Sequence, residues 1–134
     1  MPDFKSLIER IGVNEGFRRK PYQCSEGVWT IGHVITWITE EESLHILAGR
    51  ISKLHLDILD TLGWYKDMPP EIQGVIIEMC YQMGFSGFKK FKRAIANMQD
   101  KNWKGASDEM LDSLWAKKTP NRARRLSDIV REHG

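Results

Sequence analysis

The sequence predicts an α+β fold that is mostly helical, with a small N-terminal lobe carrying a β element and a helical C-terminal lobe joined to it by a long helix starting at Glu40. Three observations predict it. Apolar residues recur at helical spacing through most of the chain. A short early stretch, residues 17–38, is instead β-branched, aromatic and broken by Pro21, Gly27 and Gly32. Between the two regimes, Thr39-Glu40-Glu41-Glu42 is a capping box, a hydroxyl answered three residues later by Glu with acids on the first turn.

The elements follow in order. Phe4, Leu7, Ile8 and Ile11 mark one face of a first helix, with Asp3 as N-cap and Gly12 or Gly16 as its end. Val28–Ile31 and Val34–Ile38 read as strands of a small antiparallel hairpin or meander, with Ser25-Glu26-Gly27 as a turn. Leu44, Leu47, Ile51, Leu54 and Ile58 give an amphipathic helix to about Asp60. Gly63 and Pro69-Pro70 separate it from a helix with Pro70 near its first position and Ile72, Val75, Ile76, Met79 and Met83 turned inward. Gly84 and Gly87 mark a break. Phe88, Phe91 and Ile95 suit a further helix, and Trp103, Ala106, Met110 and Leu114 another. Thr119-Pro120 reads as cap plus first-position proline of a last helix carrying Ala123, Leu126 and Val130 inward. Trp103 and Trp115 are expected in the core.

The 134 residues are one domain's worth of chain, with 41% hydrophobic and 28% charged residues, which excludes disordered and fibrous classes. No apolar run approaches the ~20 residues of a membrane helix, so no stable membrane insertion is expected. The first ten residues mix acids and bases and do not resemble a secretory signal. Two cysteines, Cys24 and Cys80, are too few for a disulfide scaffold. Residues 1–88 hold 8 basic and 12 acidic groups, whereas residues 89–134 hold 12 basic and 6 acidic ones. That asymmetry suits an anionic partner for the C-terminal part, or simply a solvated basic helix face.

Singly, the candidate site residues are ordinary. A Glu at a helix end is usually a surface residue, a lone Cys usually inert, and a Thr in a strand usually a β-former. Their spacing is not ordinary. Glu15, eight residues, Cys24, five residues, Thr30, then Ile31-Gly32, resembles the signature of the phage-type lysozymes, the muramidase endolysins of tailed bacteriophages. Two further blocks are similar to the same family in the same order: Tyr81-Gln82-Met83-Gly84, and Ser113-Leu114-Trp115 running into Thr119-Pro120-Asn121-Arg122-Ala123. The resemblance covers about residues 4 to 130 and implies a single lysozyme-like catalytic domain over 1–134, with a small lobe of about 12–60 and a helical lobe of about 61–134 plus the N-terminal helix.

The resemblance implies that Glu15 is the general acid, which must carry a proton to the leaving glycosidic oxygen. It implies that Arg122 faces this Glu, and that Thr30 holds the attacking water by its hydroxyl. Cys24 matches the second catalytic position, where the best-known members have Asp. A thiol with a pKa of about 8.5 is mostly neutral at pH 7 unless its surroundings lower it. As a thiolate Cys24 could act as base or as nucleophile, or it could be dispensable. Single displacement by water, inverting the anomeric centre, is the expected course because of the water-holding role of Thr30. Tyr22, Gln82 and His33 are cleft candidates by resemblance alone. The family commonly reads Thr-Ile-Gly, one residue, Gly-His. Here His33 follows Gly32 directly, so the hairpin loop is shorter and one wall of the cleft differs.

No cofactor is expected. His33, His45, His55 and His133 show no metal-ligand spacing, and there is no phosphate-cradling Gly-rich loop. The function so implied is a peptidoglycan hydrolase that cuts the β-1,4 bond between N-acetylmuramic acid and N-acetylglucosamine, causing host lysis. The alternative is a catalytically decayed module that binds peptidoglycan without cutting it. A nucleic-acid partner is not expected: the basic run Arg122 to Arg125 lacks a docking motif and the first 88 residues are acidic. A monomer is expected, accumulating in the host cytoplasm and acting on the wall once another protein, such as a holin, has permeabilised the membrane.

Overall fold

The computed structural model describes residues 3–15, 17–23, 28–33 and 35–133, apart from the side chains at 4, 14, 15 and 18. The elements run α1 (Phe4–Glu15), β1 (Arg18–Gln23), β2 (Trp29–Gly32), α2 (Glu40–Thr61), a short 3₁₀ turn (Tyr65–Asp67), α3 (Pro70–Lys89), α4 (Lys92–Gln99), α5 (Trp103–Leu111), α6 (Leu114–Lys118) and α7 (Pro120–His133). The α+β expectation holds: the chain is mostly helix with a two-stranded antiparallel sheet. It divides into two compact units, Met1–Ile46 and Leu47–Gly134.

In the first unit, Asp3 caps α1 as expected. Its carboxylate accepts from the Ser6 backbone N–H at 3.3 Å and from the Ser6 hydroxyl at 2.8 Å, and these bonds hold its pKa below the usual value. The helix runs through Gly12 rather than ending there. Of its apolar face, Leu7 is half-buried while Ile8 and Ile11 are exposed. The hairpin is present, but its pairing differs from the expected one. Its first strand is Arg18–Gln23, paired antiparallel with β2 through Tyr22 opposite Thr30 and Gln23 opposite Trp29. Pro21 is tolerated because β1 is an edge strand with an irregularity in register between Arg18 and Tyr22. Of the strand expected at Val34–Ile38, the described residues 35–38 hold one bridge, in which Ile31 and Ile35 exchange backbone hydrogen bonds of 2.8 and 2.7 Å, while Val34 lies outside the described residues. The chain turns at Gly32, whose φ of +63° suits glycine. The turn expected at Ser25–Gly27 lies outside the described residues.

The capping box before α2 closes reciprocally. The Glu42 N–H donates to Thr39 Oγ1, and the Thr39 N–H donates to Glu42 Oε1, both at 3.1 Å. Of the apolar positions foreseen on this helix, Ile58 is fully buried, Leu54 is half-buried, and Leu44 and Ile51 remain exposed.

The core of the second unit centres on α3. Ile72, Val75, Ile76, Met79 and Cys80 are buried on one stripe, and Ile58, Tyr65, Phe88, Met98, Trp103, Met110, Leu126 and Val130 close around them. Each such aliphatic side chain contributes about 1.5–3 kcal/mol by leaving water. Pro69 and Pro70 open α3, where a missing N–H costs nothing. Gly84 interrupts it at φ 81°, ψ 160°, outside the range of other residues, so the expected break is real although helix resumes to Lys89.

Three expectations are corrected here. Phe88 and Phe91 do not share a helix: the first lies in the last turn of α3 and the second is the N-cap residue of α4. Leu114 does not continue α5. Ser113 adopts an extended conformation and its hydroxyl accepts from the Ala116 N–H at 3.1 Å, starting α6 and leaving Leu114 exposed. The Thr119 hydroxyl does not cap α7 but donates backward to the Trp115 carbonyl at 3.0 Å. Trp103 is buried and Trp115 is packed against the core, as expected.

Tyr65 and Cys80 are the buried titratable groups of this core. The Tyr65 hydroxyl lies 2.7 Å from His55 Nδ1, and burial followed by the charge of Cys80 raises its pKa. Burial pushes the Cys80 thiol from 9.0 up to about 11. A pKa raised by folding contributes stability that is full below the unfolded value and lost as pH rises through the folded one. Native protein is therefore expected to lose stability between pH 9 and about 11, and Cys80→Ala to lose less over that range, in urea unfolding at a series of pH values. Ile76→Ala removes a fully buried side chain and is expected to destabilise by about 2–5 kcal/mol in the same assay.

Candidate functional site

The first unit holds Glu15, Tyr22, Cys24, Thr30 and His33. Glu15 is the last residue of α1, and β1 begins at Arg18, which pairs with Gly32. The chain thus passes from the expected acid into the hairpin within three residues. The Glu15 side chain and Cys24 lie outside the described residues. Thr30 sits in β2 and is 2% exposed. Its hydroxyl donates to the Val28 carbonyl at 2.9 Å, which leaves its oxygen lone pairs as acceptors. Tyr22 is half-buried directly across the strand pair from Thr30, so the two side chains share a sheet face. His33 follows β2, exposed, with its ring 5.3 Å from that of Phe17 and its imidazole against Gly12 of α1. It ties hairpin to helix by packing.

The second unit holds Gln82 and Arg122. Gln82 lies on α3 and closes a ring of hydrogen bonds with the α6 region. Trp115 Nε1 donates to Gln82 Oε1 at 2.9 Å, Gln82 Nε2 donates to Thr119 Oγ1 at 3.3 Å, and Thr119 Oγ1 donates to the Trp115 carbonyl. The Trp115 ring meets Phe91 edge-on at 5.8 Å. The ring explains why Thr119 is not a cap: its hydroxyl is committed between Gln82 and Trp115. Arg122, in the first turn of α7, donates from Nε to Glu78 Oε2 at 2.8 Å. Glu78 was not singled out from sequence. The available signal was its place four residues before Gln82, on the same face of one helix.

Beside Trp115 an open groove is lined by Phe91, Leu114, Lys90, Lys92, Arg93 and Glu109, so part of the basic C-terminal half is gathered at one concave surface. Lys89 extends over the Phe85 ring, 4.9 Å from its centroid. Among the described residues no group of three or more His, Cys, Asp or Glu is placed to hold a metal ion, and no helix is long and apolar enough to cross a membrane.

The units therefore bring together Tyr22 with Thr30, and Gln82 with Trp115 and Thr119, on rigid elements. A buried hydroxyl with free acceptor capacity, and an arginine presented by a carboxylate, are groups that can orient water and anions.

The chain is 25% identical to probable T4-type lysozyme 1 of Dictyostelium discoideum and 26% identical to probable T4-type lysozyme 2 of the same organism, over 92–93% of each chain. It is 26% identical to the pre-baseplate central spike protein Gp5 of Enterobacteria phage T4, where the match covers 93% of this chain and 27% of that one. The phage lysozyme family model matches residues 13–131, a span that takes in Glu15, the hairpin, the Gln82 ring and Arg122, and the chain belongs to that family.

Proposed function

We propose that the protein is a peptidoglycan hydrolase that cleaves the β-1,4 bond between N-acetylmuramic acid and N-acetylglucosamine. The observation that carries the reading is the placement of the Glu15–Thr30 signature. Within the matched family span, Glu15 ends α1 and Thr30 lies in the strand paired to the one that follows, with its hydroxyl oxygen able to accept.

On this reading Glu15 protonates the leaving oxygen, and Arg122 takes the supporting role that the family resemblance implies. A water held at Thr30 attacks the anomeric carbon from the opposite face, and Cys24 occupies the second catalytic position. Water supplies the new C1 oxygen, its proton leaves to a base, and the anomeric configuration inverts. Lys90, Lys92 and Arg93 favour the approach of a substrate whose peptide stems carry carboxylates. The protein would accumulate in the host cytoplasm and reach the wall after the membrane is permeabilised.

Purified peptidoglycan incubated with the protein is expected to gain reducing ends, and Glu15→Gln to lower the rate by about 10²- to 10⁴-fold. Binding without release by the native protein would favour the decayed module instead. Proton NMR of the first-formed product is expected to show the inverted anomer, and retention would refute single displacement.

A further inference from the structure

The charges around the groove beside Trp115 run against the helices that carry them. A helix favours acids at its N-terminus and bases at its C-terminus. Lys92 and Arg93 nevertheless occupy the first turn of α4, while Glu109 lies in the last turn of α5 and Asp112 is its C-cap residue. All four line the same groove of about 480 Å³, together with Lys90, and all belong to the second unit. Among the described residues no ion pair or side-chain hydrogen bond engages any of these five side chains. Each helix end adds its dipole to the charge it bears, so one wall is strongly positive and the other strongly negative. The indole nitrogen of Trp115 is committed to Gln82, and its ring offers the groove an apolar surface. Charges that oppose their own helices, with no contact to offset the cost, point to a use outside the fold.

We propose that this groove binds a peptide end that carries both a carboxylate and a free ammonium group. The carboxylate meets Lys90, Lys92 and Arg93, and the ammonium meets Glu109 and Asp112. A ligand with only one of the two charges gains one wall and is repelled by the other. The inference deepens the functional reading above and rests on it for the source of the ligand: a diamino acid of a peptidoglycan stem, whose side-chain amine is free until the stem is cross-linked. The groove thereby favours stems that are not cross-linked.

The test is an NMR titration of the protein with the N-acetylated tripeptide alanyl-γ-glutamyl-lysine, and with its ε-acetylated and C-terminally amidated forms. Removing either charge from the peptide is expected to weaken binding about fivefold, the size of an exposed charge contact. Glu109→Gln with Asp112→Asn is expected to erase the preference for the free amine and keep that for the free carboxylate. Lys90→Gln, Lys92→Gln and Arg93→Gln together are expected to do the reverse. Thermal unfolding confirms that each variant is folded, with Tm kept or raised because the removed charges oppose the helix dipoles. Absence of binding, equal affinity for all three peptides, or preferences that persist in the variants overturns the proposal. Tighter binding of the ε-acetylated form, the mark of a plain anion site, overturns it too. Reducing-end release from peptidoglycan is measured in parallel. A protein that cleaves without discriminating keeps the hydrolase reading and loses this inference, whereas one that discriminates without cleaving keeps the groove and loses the hydrolase.

Discussion

Burial of one stripe of α3 is the constraint on which the helical unit depends. Ile72, Val75, Ile76, Met79 and Cys80 can leave water together only if the helix keeps one rotational setting against its neighbours. A turn by a single residue, about 100°, would expose that stripe and drive Glu78 toward the interior. The apolar face thus decides where the polar one points. Glu78 and Gln82 meet Arg122, Trp115 and Thr119 because the core leaves α3 no other orientation, and the core tolerates few changes in volume.

The small unit is governed differently. Its sheet has two strands, and such a hairpin is marginal in water without further packing. His33 against Phe17 and Gly12 supplies part of that packing, fastening the end of β2 to α1. Strand choice here shows the limit of propensity. Val34–Ile38 is the better β-former, yet Arg18–Gln23, with three bases and a proline, is the strand that pairs. Propensity measures how a side chain suits a pleated surface, while pairing depends on which backbone lies alongside. Once Gly32 turns the chain, Ile35 reaches back to Ile31.

The sequence by itself determined the features that act within one or two turns of backbone. The caps at Asp3 and Thr39, the proline start of α3 and the helical stripes were legible because each rests on neighbours in the chain. So was the passage from a first helix into a hairpin over residues 15–32, because that junction is local. The tertiary structure alone decided the partners of the polar residues. Without the resemblance Arg122 reads as a base on a solvated helix face, and its bond to Glu78 crosses 44 positions. Thr119 reads as a cap, but a Gln82 amide 37 residues away claims its hydroxyl. Local rules set each group's capacity to donate or accept. Which partner it meets depends on how helices cross, and that is fixed by the packing of apolar faces that no single segment contains.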